Sequence, residues 1–165
     1  VEKAVESVSC PVLLNGNVSS YKSAQNLKDL TGAHGVMIGR AAIRNPWIFR
    51  QIREFQSGKD VFLPKLSDVY HYIEDLYQTL TRPEIGEIKC VARMKKFLNF
   101  VGVSIDSKGK FLFEMRRVKT KHELFTVCDK YLIQNGRSER PFNLEPYDGL
   151  IARPSSESKK VSCCL

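Results

Sequence analysis

Residues 11–17, Pro-Val-Leu-Leu-Asn-Gly-Asn, and residues 31–40, Thr-Gly-Ala-His-Gly-Val-Met-Ile-Gly-Arg, decide how this chain is read. In the first stretch a short apolar run ends in Asn15-Gly16, the pattern of a buried parallel strand entering a turn. In the second, Gly35-Val36-Met37-Ile38 is another such strand, and it passes at once into Gly39-Arg40. Between them Ser20 is placed to cap a helix over 21–30, with Ala24, Leu27 and Leu30 facing inward and Gly32 as the stop. Asn45-Pro46 then predicts a further helix, Asn as its cap and Pro in its first turn, through Trp47, Ile48, Ile52 and Phe55 to Gly58. Strands alternating with helices over short loops predict parallel pairing in an α/β sheet. Two parallel strands neither close a barrel nor cover the apolar faces beside them. The chain is therefore expected either to assemble with something else or to be the C-terminal part of a longer protein. A first residue of Val rather than Met favours the second.

Beyond residue 58 the pattern changes. Residues 59–65 read as a linker, and from there to residue 136 only helices are expected. Ser67 is expected to open a helix carrying Val69, Tyr70, Ile73, Leu76, Tyr77 and Leu80 at helical spacing, with Tyr70 and Tyr77 packing inward rather than stacking on bases. Pro83 separates it from a second helix over 85–101 whose inward stripe is Ile85, Ile88, Ala92 and Leu98. Residues 110–118 predict a shorter helix, although Phe111 and Phe113 flanking Leu112 also suit a strand. Thr120-Lys-His-Glu123 is a capping box for a helix over 124–134, stopped by Asn135-Gly136. Four helices of this length predict a small four-helix bundle domain. From Arg137 on, Pro141, Pro146, Pro154 and a Ser/Lys run predict an extended or disordered tail.

The 165 residues, 42% of them hydrophobic, suffice for one or two small cores, and no apolar run is long enough to cross a membrane. Five dispersed cysteines (Cys10, Cys90, Cys128, Cys163, Cys164) form no Cys-x-x-Cys, so a disulfide framework is not expected and a reducing compartment, cytoplasmic or organellar, is. His34, His71 and His122 share no ligand spacing with one another or with the cysteines, which assigns no metal. Ser162 stands four from the end, where a prenylation box requires Cys, and the terminal pair Cys163-Cys164 reads as frayed tail.

The net charge of +8 is segregated. Between Lys89 and Lys121 stand ten basic residues and two acids (Asp106 and Glu114), a surplus equal to that of the whole chain. A solvated Lys-rich helix face is the plain alternative, but a field this concentrated suits a polyanion. Arg93, Lys95 and Lys96, with Arg116, Arg117 and Lys119 on a neighbouring element, are the candidate phosphate contacts.

Asn15-Gly16-Asn17 follows one strand, and ligands of parallel α/β folds bind at the carboxyl ends of strands. Alone, Asn-Gly is most often only a turn. Gly39-Arg40 follows the other strand. Free backbone N–H groups there, the missing Cβ of Gly39 and the Arg40 guanidinium suit a phosphate dianion. Two such loops after successive strands fit the phosphate-binding corner of a (β/α)8 barrel, formed after its last two strands.

With Asn45-Pro-Trp-Ile-Phe49 added, these segments closely resemble the dihydrouridine synthases, from about residue 11 to 102 and more loosely to 136. Met94-Lys-Lys-Phe-Leu-Asn-Phe100 is similar to a stretch of that family's tRNA-binding helical domain. Asn17 stands where many members have Asp, Phe97 where His is usual and Phe100 where Trp is usual. The resemblance implies α/β plus all-α architecture: the last two β/α units of an FMN-binding TIM barrel (1–58), the linker (59–65), a helical tRNA-binding domain (66–136) and the tail (137–165). It implies that Asn15, Gly16, Asn17, Gly39 and Arg40 hold the FMN phosphate and ribityl end, with Met37 and Ile38 nearby. It further implies reduction of uridine to 5,6-dihydrouridine in the D-loop of tRNA, NADPH as reductant, and a full-length enzyme that is a monomer. The family's proton-donating cysteine lies in a loop after an early strand, so no catalytic residue is assigned here and the isolated chain is expected to be inactive. The rival readings are another FMN-dependent barrel oxidoreductase acting on a small molecule, and a stand-alone RNA-binding module.

Overall fold

A computed structural model describes residues 1–147 and 150, and the remaining tail, including the terminal cysteine pair, lies outside the described residues. Two compact units divide the chain between Phe62 and Leu63, inside the segment read as a linker.

The first unit runs to Phe62 and takes in Pro146, Tyr147 and Leu150. It opens with α1 (Glu2–Ser7), which the sequence pattern did not announce because none of its residues is buried. Strands β1 (Leu13–Asn15) and β2 (Gly35–Met37) pair in parallel, with Leu13 opposite Gly35, Leu14 opposite Val36 and Asn15 opposite Met37. Helix α2 (Tyr21–Thr31) connects them. Its cap is as expected: the Ser20 side chain accepts from the Ser23 amide at 3.1 Å, the Ser20 amide donates to Ser23 Oγ at 3.0 Å, and Gly32 ends the helix in the left-handed region. Leu14, Val18, Ala24 and Ala33 form the core, with Leu27, Val36, Ile38 and Ile52 packed against it.

The strands are not buried on both faces as expected. Leu14 is 4% exposed, whereas Leu13 is 66% and Met37 47% exposed. Side chains alternate across a strand, so helices covering one face leave the other open. Leu30, expected inward, is exposed as well. After β2 come α3 (Arg40–Arg44) and α4 (Ile48–Gln56). Asn45 ends α3 instead of capping α4; its side-chain amide donates to Gln51 Oε1 at 2.8 Å, a buried polar pair that ties the turn to α4.

The second unit, Leu63–Glu145, holds α5 (Leu66–Leu80), α6 (Glu87–Ile105), α7 (Lys110–Met115) and α8 (Lys121–Leu132). Ser67 does not cap α5. The Lys65 amide donates to Asp68 Oδ2 at 2.7 Å, while the first-turn amides of Leu66 and Ser67 donate to the carbonyls of Arg140 and Ser138 at 2.9 and 3.1 Å. Residues 137–145, expected to trail, are thus part of this unit. They satisfy helix-start donors that would otherwise be orphaned, and Phe142 is buried with its amide on the Pro64 carbonyl at 2.8 Å.

Helix α6 is rotated relative to the expected stripe. Cys90, Val91, Met94, Leu98 and Val101 face the core, while Ile88 is 75% exposed and Ala92 is also exposed. Helix α7 settles the ambiguity at 111–113: Phe111 and Leu112 are buried and Phe113 is exposed, and Asp106 accepts from the amides of Lys110 and Phe111 at 2.7 and 3.1 Å to hold its start. The Thr120 capping box of α8 forms as expected. Tyr77 is buried and stacks edge-on against Phe125 at 5.5 Å, and Tyr70 does so at 6.2 Å. Among the described residues no helix is long and apolar enough to cross a membrane.

Gly102 is where α6 and α7 meet most closely: a Cβ there would lie 2.8 Å from Leu112 Cγ and 3.0 Å from Phe111 Cδ1. Gly102→Ala is expected to cost about 1–3 kcal/mol through overpacking and to lower the melting temperature by several degrees. An unchanged thermal melt would contradict this packing.

Candidate functional site

The C-terminal ends of β1 and β2 lie side by side because Asn15 pairs with Met37. The chain leaves β1 through two residues of positive φ, Gly16 at 132° and Asn17 at 56°. A side chain at Gly16 would be strained although the space beside it is open. It leaves β2 through Gly39, where a Cβ would also meet nothing within 4 Å. The two exits enclose one cavity of about 100 Å³ lined by Asn15, Gly16, Asn17, Met37, Gly39 and Arg40. These are six of the seven residues read from sequence; Ile38 points instead into the core behind them.

Other residues of the corner were not read from sequence. Val18, Ser19 and Ala41 line it, and so does Leu150, which is 3% exposed. Arg44, one helical turn after Arg40, is 1% exposed, and the Tyr147 ring lies 5.8 Å from its guanidinium carbon. The spacing Arg40-x-x-x-Arg44 is a signal that sequence reading had to hand, because i and i+4 share a helix face. Nothing local marks Tyr147 or Leu150.

The cavity is smaller than the roughly 300 Å³ at which sites for whole small molecules begin, so it suits one end of a ligand. A guanidinium, two carboxamides and open space at two glycines fit a phosphate group.

In the helical unit, Arg93 and Lys96 are exposed on α6, and Lys89 lies on the same face. Lys95 donates to the Arg116 carbonyl at 3.0 Å and Arg116 Nε to Asn99 Oδ1 at 2.9 Å, which joins the turn after α7 to α6. Glu123 has its pKa lowered, first by accepting from the Lys119 and Thr120 amides and further by the charges of Lys119 and Lys95. Arg117 differs: its guanidinium stacks on Phe113, 3.4 Å from the ring centre, and donates to the Phe113 carbonyl at 2.8 Å. Five of the six predicted basic residues thus lie along α6 and the turn joined to it, and Arg117 folds back on its own helix.

Cys10 is exposed just ahead of β1, at the end of the strand away from the cavity. Cys90 and Cys128 are buried in helices, and burial pushes the Cys128 thiol up to about 12.

The strand-end cavity with its arginine and paired carboxamides belongs to an α/β unit, which is followed by a basic helical unit. The family model for dihydrouridine synthases matches residues 1–135, and the chain belongs to that family. It is 26% identical over 131 residues to the tRNA-dihydrouridine(16) synthase of Neisseria meningitidis serogroup A, covering 79% of this chain and 39% of that protein. It is 28% identical over 145 residues to tRNA-dihydrouridine synthase B of Shewanella oneidensis, covering 79% and 41%, and 40% identical over 65 residues to that of Pseudomonas putida, covering 39% and 19%. The chain spans about two fifths of the length of the Neisseria and Shewanella relatives.

Glu114 anchors the basic turn by linking α7 to α8. Both its oxygens accept from Lys130 Nζ at 2.9 Å, and the Tyr131 hydroxyl donates to it at 2.8 Å. The Lys130 hydrogen bond and then that of Tyr131 hold its carboxyl below the usual 4.5. A depressed carboxylate stabilises the fold above its unfolded pKa and loses that contribution as pH falls through the folded value. Glu114→Gln is therefore expected to melt lower at neutral pH, with the difference from wild type shrinking below pH 4.5. A difference independent of pH would refute the assignment.

Proposed function

We propose that this chain is the C-terminal portion of a tRNA-dihydrouridine synthase: the last two β/α units of an FMN-binding (β/α)8 barrel, followed by a four-helix bundle that grips tRNA. The observation that carries the reading is the convergence of Asn15–Asn17 and Gly39-Arg40 on one phosphate-sized cavity. The exposed Leu13 and Met37 on the open sheet face suit packing by further strand-helix units of the same barrel.

In this reading Arg40 neutralises the FMN phosphate, while the carboxamides of Asn15 and Asn17 fix its orientation and that of the ribityl end. Met37 lies beside them, and Ile38 supports the loop from the core. The chemistry that FMN supplies when bound is hydride delivery to C6 of uridine after reduction by NADPH, giving 5,6-dihydrouridine in the D-loop. A uracil inside folded tRNA must be unstacked for that, which calls for a broad basic surface gripping the backbone. Arg93, Lys95, Lys96, Arg116 and Lys119 provide it, with Arg117 at its margin.

Protonation of C5 falls to a cysteine elsewhere in the complete enzyme. Among the described cysteines, Cys90 and Cys128 are sealed in the helical core and Cys10 is at the wrong end of its strand, while Cys163 and Cys164 lie outside the described residues. These 165 residues alone are therefore expected to form no dihydrouridine.

Two measurements test the reading. The complete reading frame containing this chain should purify with bound FMN and should generate dihydrouridine in unmodified tRNA; a product indifferent to flavin would end it. In the same protein Arg93→Glu with Lys96→Glu should weaken tRNA binding and flatten the dependence of log affinity on log salt by about two units. Unchanged affinity and slope would remove these residues from the interface.

A further inference from the structure

The described residues beyond the family match hold a feature that the dihydrouridine reading does not use. That match ends at residue 135, and the second structural unit ends at Glu145. Yet Leu150 lines the cavity at the strand ends with the rest of its surface buried, and Tyr147 lies against Arg44. The Leu150 amide donates to the Tyr147 carbonyl at 3.1 Å, which holds the two residues close to each other.

We propose that Tyr147 and Leu150 form a C-terminal strap that completes this corner and slows the release of a phosphate-bearing ligand. The proposal rests on the reading of the cavity as the FMN phosphate site.

The division of labour follows from chemistry. Leu150 adds an apolar side chain to a cavity whose other lining residues include Asn15, Asn17 and Arg40 as well as Val18, Met37 and Ala41. Excluding water on that side strengthens the attraction between Arg40 and an anion, since the same charges interact more strongly at lower dielectric. The Tyr147 ring lies against the buried Arg44 guanidinium, a cation–π contact that fixes the ring beside α3. Burial raises the pKa of the Tyr147 hydroxyl, and the nearby charges of Arg44 and Arg40 pull it the other way. With its pKa raised, the phenol stays neutral at physiological pH and adds no negative charge beside Arg44. About 100 Å³ of cavity remains beside Leu150, so the strap walls the corner without filling it.

The test uses the complete reading frame, with FMN dissociation followed by recovery of flavin fluorescence on dilution. Leu150→Ala and Tyr147→Ala should each speed FMN release about tenfold, the kinetic counterpart of losing a packed wall or a cation's partner. Tyr147→Phe and Leu150→Met, which keep the ring and the apolar bulk, should release FMN at the wild-type rate. That contrast separates the strap from a general loss of folding, which thermal melts of all four variants would show. If wild type holds FMN and the alanine variants release it no faster, the strap is refuted while the FMN reading stands. Tighter binding in the alanine variants would also refute it, because the segment would then be a plug. If wild type takes up no FMN, the reading of the site fails and the strap falls with it.

Discussion

The register that sets Asn15 opposite Met37 is the constraint on which the rest depends. In a parallel pair both strands end on the same side, so this register brings Gly16-Asn17 and Gly39-Arg40 to one rim. A slip of one residue would turn Leu14 out of the core and swing the polar ends apart. The register is held from one face only. Leu14 and Val36 pack beneath α2 and α4, and Gln51 braces the turn after α3 by accepting from Asn45 while donating to the Phe62 carbonyl at 2.8 Å. The site is thus the edge of a small core, and Arg40 is presented to it by the short helix α3 that follows β2, with buried Arg44 one turn further on.

The helical unit solves a different problem with one long helix. Helix α6 buries an apolar stripe against α5, α7 and α8 and carries Lys89, Arg93 and Lys96 on the face left to solvent. The turn after α7 is joined to the same helix through Lys95 and Arg116, which brings Arg116 beside the basic residues of α6. Few acids sit there to cancel the field, and Glu114 and Glu123 are both taken up in structural hydrogen bonds.

What was legible in the sequence was mostly local. The capping boxes at Ser20 and Thr120 close within three residues, so their chemistry is visible in the letters alone. The glycine-bearing loops were legible for the same reason. What failed depends on distant partners. Asn45 looked like a helix cap but is drawn to Gln51, and Ser67 was displaced from that role by carbonyls more than seventy residues away. The stripe of α6 was misphased because Ile88 is apolar yet has no neighbour to cover it, while Cys90 and Met94 do. Leu13 and Met37 read as core for want of any signal about which sheet face is covered. Tyr147 and Leu150 carried no pattern at all, since a wall contributed from the far end of a chain is written only in three dimensions.

In the proposed function the strand-end corner recognises a phosphate through Arg40. That recognition is tested most directly by titrating the complete protein, freed of flavin, with FMN and with riboflavin, in the wild type and in Arg40→Ala. Wild type is expected to prefer FMN by about a hundredfold, in keeping with a charge-assisted pair worth roughly 3 kcal/mol, and the preference is expected to collapse in the variant. Equal affinity of wild type for the two flavins, or a preference that survives the loss of Arg40, would contradict it.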